Sequence, residues 1–155
     1  MPQQLFELLK RDHRQAERWI SQIEEAPESK RGELFSTLQD ALEKHMQMEE
    51  KHFYPPLQKI EELKDLVADA TEEHEKTKKI LVKLADLAVS DTKWIPTFQK
   101  LQEGLQHHIQ DEEKEIFPKC ATLMDKTLLR EIGEKCIVEK ERAQSSKGGR
   151  EAHKK

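Results

Sequence analysis

Residues 45–57 read HMQMEEKHFYPPL, and residues 108–120 read HIQDEEKEIFPKC. Both fit one pattern, H-x-Q-x-E-E-K-x, followed by two apolar or aromatic residues and a proline. In each copy a glutamate (Glu49, Glu112) stands four residues after a histidine (His45, His108). On an α-helix that spacing puts imidazole and carboxylate on one face, about a turn apart. Both groups can then ligate one metal centre, and two such helices facing each other can build a two-metal site.

Working outward, four segments carry a helical period. Phe6, Leu9, His13, Ala16, Ile20 and Ile23 recur every three or four residues, with Pro2 at the start and Pro27 after the end. Leu34, Leu38, Leu42, His45 and Glu49 form a second stripe, expected to stop at Pro55-Pro56 because neither proline can donate an interior helix bond. Leu63, Val67, Ala70, His74, Thr77, Leu81, Leu84 and Ala88 form a third, broken at Ser90-Asp91-Thr92. Phe98, Leu101, Leu105, His108 and Glu112 form the fourth, with Asp91 or Thr92 as its expected cap and Pro118 expected to end or kink it. No strand pattern is present. The spacing and short connections predict an all-α, up-down-up-down four-helix bundle over residues 1–124. A short fifth helix is expected over 125–144, carrying Leu128, Leu129, Ile132 and Cys136, and a disordered basic tail over 145–155.

Each of the four helices places one histidine inside its own apolar stripe: His13, His45, His74 and His108. Glu49 and Glu112 take the next stripe position on two of them. Six ionisable groups therefore face the seam of a small core. A buried carboxylate without a partner costs several kcal/mol, and two close together raise each other's pKa. A pair of divalent cations resolves both problems. Imidazole and carboxylate without thiolate suit iron, manganese or zinc, and bridging carboxylates favour iron or manganese over a closed zinc tetrahedron. A single histidine on an apolar face is ordinarily a hydrogen-bonded core residue; the joint pattern carries the metal reading. His107 is expected to face solvent, His52 to sit on a rim, and Glu50 and Glu113 to support ligands or face water. Phe53, Tyr54 and Phe117 either seal one end of the site or simply stop their helices.

The bulk composition agrees. The chain is 155 residues long, 35% hydrophobic, 37% charged and 5% aromatic, which suits solvated helices around a narrow apolar seam. A net charge of −4, with bases interleaved among acids, disfavours a nucleic-acid role. Cys120 and Cys136 read as reduced thiols. No secretory signal and no run near the roughly 20 apolar residues of a membrane helix is present, so the cytoplasm is the simplest location.

The chain resembles the hemerythrin-like, HHE cation-binding family. The matching elements are Asp12-His13, the H-x-x-x-E-E…F-Y-P stretch from His45, Glu73-His74, and H-x-x-x-E-E…F-P from His108. The resemblance implies a non-haem di-iron centre, two iron ions bridged by two carboxylates and an oxo or hydroxo group. Glu49 and Glu112 would be the bridges, with His13, His45, His74 and His108 as terminal ligands. Three features depart from the oxygen carriers of that family. Lys78 stands where they have a further histidine; they place the helix-four carboxylate five residues after the histidine, whereas here the better match is Glu112, four after, with Glu113 at the five-residue spacing keeping the assignment open; and a long N-terminal arm is missing. The resemblance then implies a protein that binds or senses a small diatomic or oxidant (O2, NO, peroxide) or handles iron. The alternatives are a di-iron oxidoreductase acting on peroxide, NO or ferrous iron, and a metal-responsive interaction module. The sequence leaves the oligomeric state open.

Overall fold

Apolar residues at three- and four-residue intervals bury one stripe of each helix and pull the rods together. The structure, a computed structural model, describes the backbone of residues 2–154 and the side chains of residues 4–142. The described backbone is helical throughout, without strands: α1 (Pro2–Glu25), α2 (Glu28–Met48), α3 (Tyr54–Gln58), α4 (Glu61–Asp86), α5 (Trp94–Asp111), α6 (Phe117–Leu123) and α7 (Lys126–Lys154). α2 and α3 are one rod joined by a π-helical turn, Glu49–Phe53, and α5 and α6 are another joined by a second π-turn, Glu112–Ile116. The molecule is thus five rods, four of them forming a hemerythrin-like bundle.

The π-turns correct the expectation that the second rod stops at Pro55-Pro56, and of the two outcomes expected at Pro118 they exclude the stop. The Tyr54 N–H bonds the Glu49 carbonyl, and the Phe117 N–H bonds that of Glu112, each five residues back. Pro55-Pro56 and Pro118 then fall in the first turn of α3 and α6, where a helix tolerates proline. The rods run on to Gln58 and Leu123. At the head of α5 the Asp91 carboxylate accepts the Lys93 N–H at 2.8 Å.

The core is divided in two. One apolar cluster gathers Leu5, Leu9, Phe53, Leu57, Leu63, Val67, Ala70, Ile116, Phe117 and Cys120; the other gathers Ala16, Ile20, Leu38, Leu42, Leu81, Leu84, Trp94, Phe98, Leu101 and Leu105. α1 and α4 pass from the first cluster to the second, and the α2 and α5 rods pass back. That alternation is the up-down-up-down order. On each of these four rods the crossing point is a histidine or glutamate, so a polar layer separates the two clusters.

α7 is longer than the short fifth helix expected. It lies along α1, with Leu129, Ile132 and Cys136 in the first cluster, while Leu128 is exposed. Gly133 permits this approach, since a Cβ there would sit 3.3 Å from the Leu5 Cβ. The tail expected to be disordered lies outside the residues whose side chains are described. Among the described residues no helix is long and apolar enough to cross a membrane.

Candidate metal centre

His13, His45, Glu49, His74, His108 and Glu112 are all buried, and both glutamates are fully inaccessible. Donor atoms of His13, His45, Glu49 and Glu112 lie within 4.8 Å of one another; Glu49, His74 and His108 form a second such group. The six sequence-selected residues therefore meet in one layer, with Glu49 common to both groups.

The two carboxylates divide their oxygens between two imidazole pairs. Glu112 Oε1 lies 3.1 Å from His13 Nε2, and Glu49 Oε2 lies 3.4 Å from His45 Nε2. On the other side Glu49 Oε1 lies 3.0 Å from His74 Nε2, and Glu112 Oε2 lies 3.5 Å from His108 Nε2. Each glutamate thus presents one oxygen to each pair, the disposition that lets a carboxylate span two cations. Glu112 faces the layer, while Glu113 lies on the far side of His13, against its Nδ1.

Opposite the inward Nε2 atoms, each imidazole holds a carboxylate through Nδ1. His13 meets Glu113 at 2.6 Å, and His45 meets Asp12, His74 meets Glu50 and His108 meets Glu73, each at 2.7 Å. Every one of these carboxylates comes from a neighbouring rod. Asp12 of α1 serves α2, Glu50 of the α2 rod serves α4, Glu73 of α4 serves α5, and Glu113 of the α5 rod serves α1. The ring closes around the bundle. Such partners fix tautomer and ring orientation and leave Nε2 free to ligate. The signal for it was in the sequence: Asp12 precedes His13, Glu73 precedes His74, Glu50 follows Glu49 and Glu113 follows Glu112.

Sequence reasoning missed Tyr54 as a member of the layer. Its hydroxyl donates to Glu112 Oε2 at 2.5 Å, lies 3.1 Å from Glu49 Oε1 and 3.3 Å from His74 Nε2. Burial, then Glu112 and Glu49, push its pKa well above the ordinary value, so the phenol keeps its proton. The layer is therefore asymmetric. A hydroxyl serves the His74–His108 side, while across from it His45 Nε2 and Glu49 Oε2 are buried without a hydrogen-bond partner.

The donor set fits a pair of divalent cations. His74 Nε2 and His108 Nε2 point at each other across 3.2 Å, an arrangement a shared neighbouring cation satisfies better than a second proton. Burial would lower His45, but Glu49 and Asp12 override it and hold the imidazole at about 10. His108 is raised in the same way, against burial, by Glu112. Burial would raise Glu49, but His45, His108 and His74 hold it well below the ordinary carboxylate range. His45 and His108 hold their protons only because ionised carboxylates face them, and a cation would replace those protons.

The remaining candidates stand apart. His52 pairs with Glu139 of α7 at 3.1 Å, away from the layer. Lys78 reaches Glu50 at 3.0 Å and Glu75 at 3.1 Å; burial would lower its pKa, but those two partners together hold it above the ordinary lysine value. The His107 side chain is 68% exposed, as expected. His153 lies outside the described side chains. Cys120 and Cys136 are free and buried, and burial pushes both thiols up to about 12. Phe117 stacks near the His13 ring, 6.2 Å between centroids, so it seals one side of the layer.

A cavity of about 540 Å³ leads from the surface between α1 and α2 to His13, His45, His74 and His108. Ala16, Leu42 and Leu105 form its apolar wall, and Arg11, Lys44 and Lys140 line it as well.

Comparison with known proteins agrees with this geometry. The model of the hemerythrin HHE cation-binding domain matches residues 4–120. The crystal structure of a hemerythrin HHE cation binding domain-containing protein from Mycobacterium kansasii superposes with a TM-score of 0.79 at 26% identity, covering 91% of this chain and 87% of that one. An uncharacterized hemerythrin-like protein of Schizosaccharomyces pombe is 33% identical over 79 residues, 50% of this chain. The match spans only 39% of that relative's length. With a family model covering most of the chain and both copies of its motif in the buried layer, the chain belongs to the hemerythrin HHE cation-binding domain family.

Proposed function

We propose that this chain is a non-haem di-iron protein that binds or senses a small diatomic or oxidant, or handles iron. His13 and His45 would hold one ion and His74 and His108 the other, with Glu49 and Glu112 spanning both. The observation that carries the reading is the split of both carboxylates between two imidazole pairs. The donors favour iron or manganese over zinc, since both carboxylates are shared between two imidazole pairs instead of closing around a single ion.

When bound, iron supplies one-electron chemistry and a coordination position for an exogenous ligand. The chain does the rest. The Nδ1 ring orients the four imidazoles, and the two apolar clusters keep bulk water from the layer from above and below. Tyr54 holds a proton beside Glu49 Oε1 and Glu112 Oε2. The cavity between α1 and α2 gives a small ligand a path to the imidazoles.

A second reading, an oxidoreductase acting on peroxide, NO or ferrous iron, draws on the same cavity. Its volume far exceeds the roughly 30 Å³ that a water-sized molecule occupies in the liquid, so it admits reactant and water together.

Metal analysis of protein purified without chelator tests the proposal. About two iron ions per chain are expected from the paired donors, and Glu49→Ala or Glu112→Ala should release most of them. Less than half an ion per chain, with both variants indistinguishable in stability and spectrum, would refute it. Steady-state turnover with peroxide, NO or ferrous iron, as against stoichiometric binding, separates the two readings.

A further inference from the structure

Four carboxylates hold the outer nitrogens of the buried imidazoles, and three of them are closed on their far side by a fixed cation. Asp12 pairs with Lys140, Glu50 with Lys78 and Glu113 with Arg14. Glu73 is the exception. Its Oε1 binds His108 Nδ1 at 2.7 Å, while its Oε2 faces His107 Nε2 at 3.4 Å. His107 Nε2 in turn lies 3.2 Å from Asp111 Oδ2. Among the described residues no lysine or arginine pairs with Glu73 or Asp111. The corner that lacks a built-in cation holds instead a second carboxylate and an imidazole.

Those three side chains offer one nitrogen and two carboxylate oxygens within 4.8 Å of one another. His107 and Asp111 are four residues apart on α5 and share a face, and Glu73 approaches from α4. Two carboxylates and one imidazole suit ferrous, manganous or zinc ions, with water filling the open positions. Exposure of His107 makes such a site exchangeable.

We infer that Glu73, His107 and Asp111 form a further, exchangeable site for a divalent cation, which takes the place that lysine or arginine occupies at the other three corners. Glu73 ties it to the buried layer, because one carboxylate serves the cation through Oε2 and His108 through Oε1. That tie rests on the di-iron reading; the site itself does not. A cation there draws electron density from Glu73 and so alters how firmly His108 is held.

The test uses the full chain, as isolated, titrated with manganous ion as the probe. Uptake is followed by equilibrium dialysis and by paramagnetic broadening of amide signals. One further exchangeable equivalent is expected, broadening amides around Glu73, His107 and Asp111. His107→Ala and Asp111→Asn change side chains at the bundle surface and should each weaken this uptake by about tenfold or more. No uptake beyond the tightly held metal, or uptake that both variants leave unchanged, would overturn the inference. Failure of the di-iron reading looks different: the isolated protein then holds no tight metal, while the His107-dependent step persists.

Discussion

Asp12 on α1 binds His45 Nδ1 on α2 at 2.7 Å, and on its other oxygen it pairs with Lys140 of α7. The carboxylate is thus fixed from two sides, and through it the imbedded imidazole is fixed too. Burial would raise the Asp12 carboxyl, but His45 first and Lys140 second hold it below the ordinary carboxylate range. Removing this anchor leaves the ligand itself in place but frees its ring. Asp12→Ala should therefore weaken metal binding by about 10- to 100-fold, the usual effect of losing a carboxylate behind a ligating histidine. Chelator competition measures it. Lys140→Ala should act in the same direction and more weakly, and an unchanged affinity in Asp12→Ala would show that the ring does not position the imidazoles.

Tyr54 makes a second prediction. Its hydroxyl satisfies Glu112 Oε2 and Glu49 Oε1 inside a fully buried layer. Tyr54→Phe keeps the ring and removes the donor. In chelator-treated protein the orphaned Glu112 Oε2 should cost about 1–3 kcal/mol of stability, the penalty for leaving a buried acceptor unsatisfied, while Glu49 Oε1 keeps His74 Nε2 at 3.0 Å. Metal-loaded protein should lose less, because cations satisfy the same oxygens. Denaturant titrations of both forms decide it. An equal loss in the two forms would mean that the hydroxyl and the cation do not compete for these atoms.

The helices and the six inward donors were legible because both follow the apolar stripe. His13 lies between Leu9 and Ala16, and His74 between Ala70 and Thr77, so the three-four period that marks a helix also aims its ligand. Tyr54 was not legible for the opposite reason. It stands five residues after Glu49, and on a regular α-helix five residues overshoot a full turn by about 140°. The π-turn Glu49–Phe53 absorbs that excess and returns Tyr54 to the face of Glu49. Nothing in the apolar period announces a five-residue hydrogen bond. The same shift explains why Pro55-Pro56 read as a stop although the rod continues. The Nδ1 ring lay one step off the stripe. Asp12 and Glu73 are about 100° round from their neighbouring ligands, and they reach the next rod, whose identity only the packing reveals.

The protonation pattern predicts opposite pH slopes with and without metal. His45 is held at about 10 against an ordinary 6.5, so in chelator-treated protein its contribution to stability is full below about 6.5. It is lost as pH rises from there toward about 10, and His108, also raised, adds to the loss. Glu49 is depressed below its ordinary 4.5, so its contribution is present above that pH and disappears as pH falls further. The stripped protein should be most stable between these limits and weaken on the alkaline side. Metal-loaded protein should gain over the same alkaline range, because cations bind neutral imidazoles and compete with fewer protons as pH rises. Melting temperatures of both forms from pH 4 to pH 10 check this. Parallel curves would mean that the buried imidazoles are not the groups a metal displaces protons from.

Access to the layer gives the last prediction. Ala41 on α2 is half-buried and lines the cavity that leads between α1 and α2 to the four imidazoles. Its small side chain leaves the passage clear, and its partial exposure gives a larger one room to turn outward without disturbing either apolar cluster. Ala41→Trp should leave helix content and metal content unchanged. The reaction of the reduced, metal-loaded protein with an oxidant should slow by about tenfold, as an added access barrier of about 1.4 kcal/mol would produce. A tryptophan at Lys64, exposed on the outer face of α4 and away from the cavity, serves as the control and should have no effect. Stopped-flow measurement of both variants separates the outcomes. If Ala41→Trp reacts as fast as the unsubstituted protein, small ligands reach the buried donors by another path through the bundle.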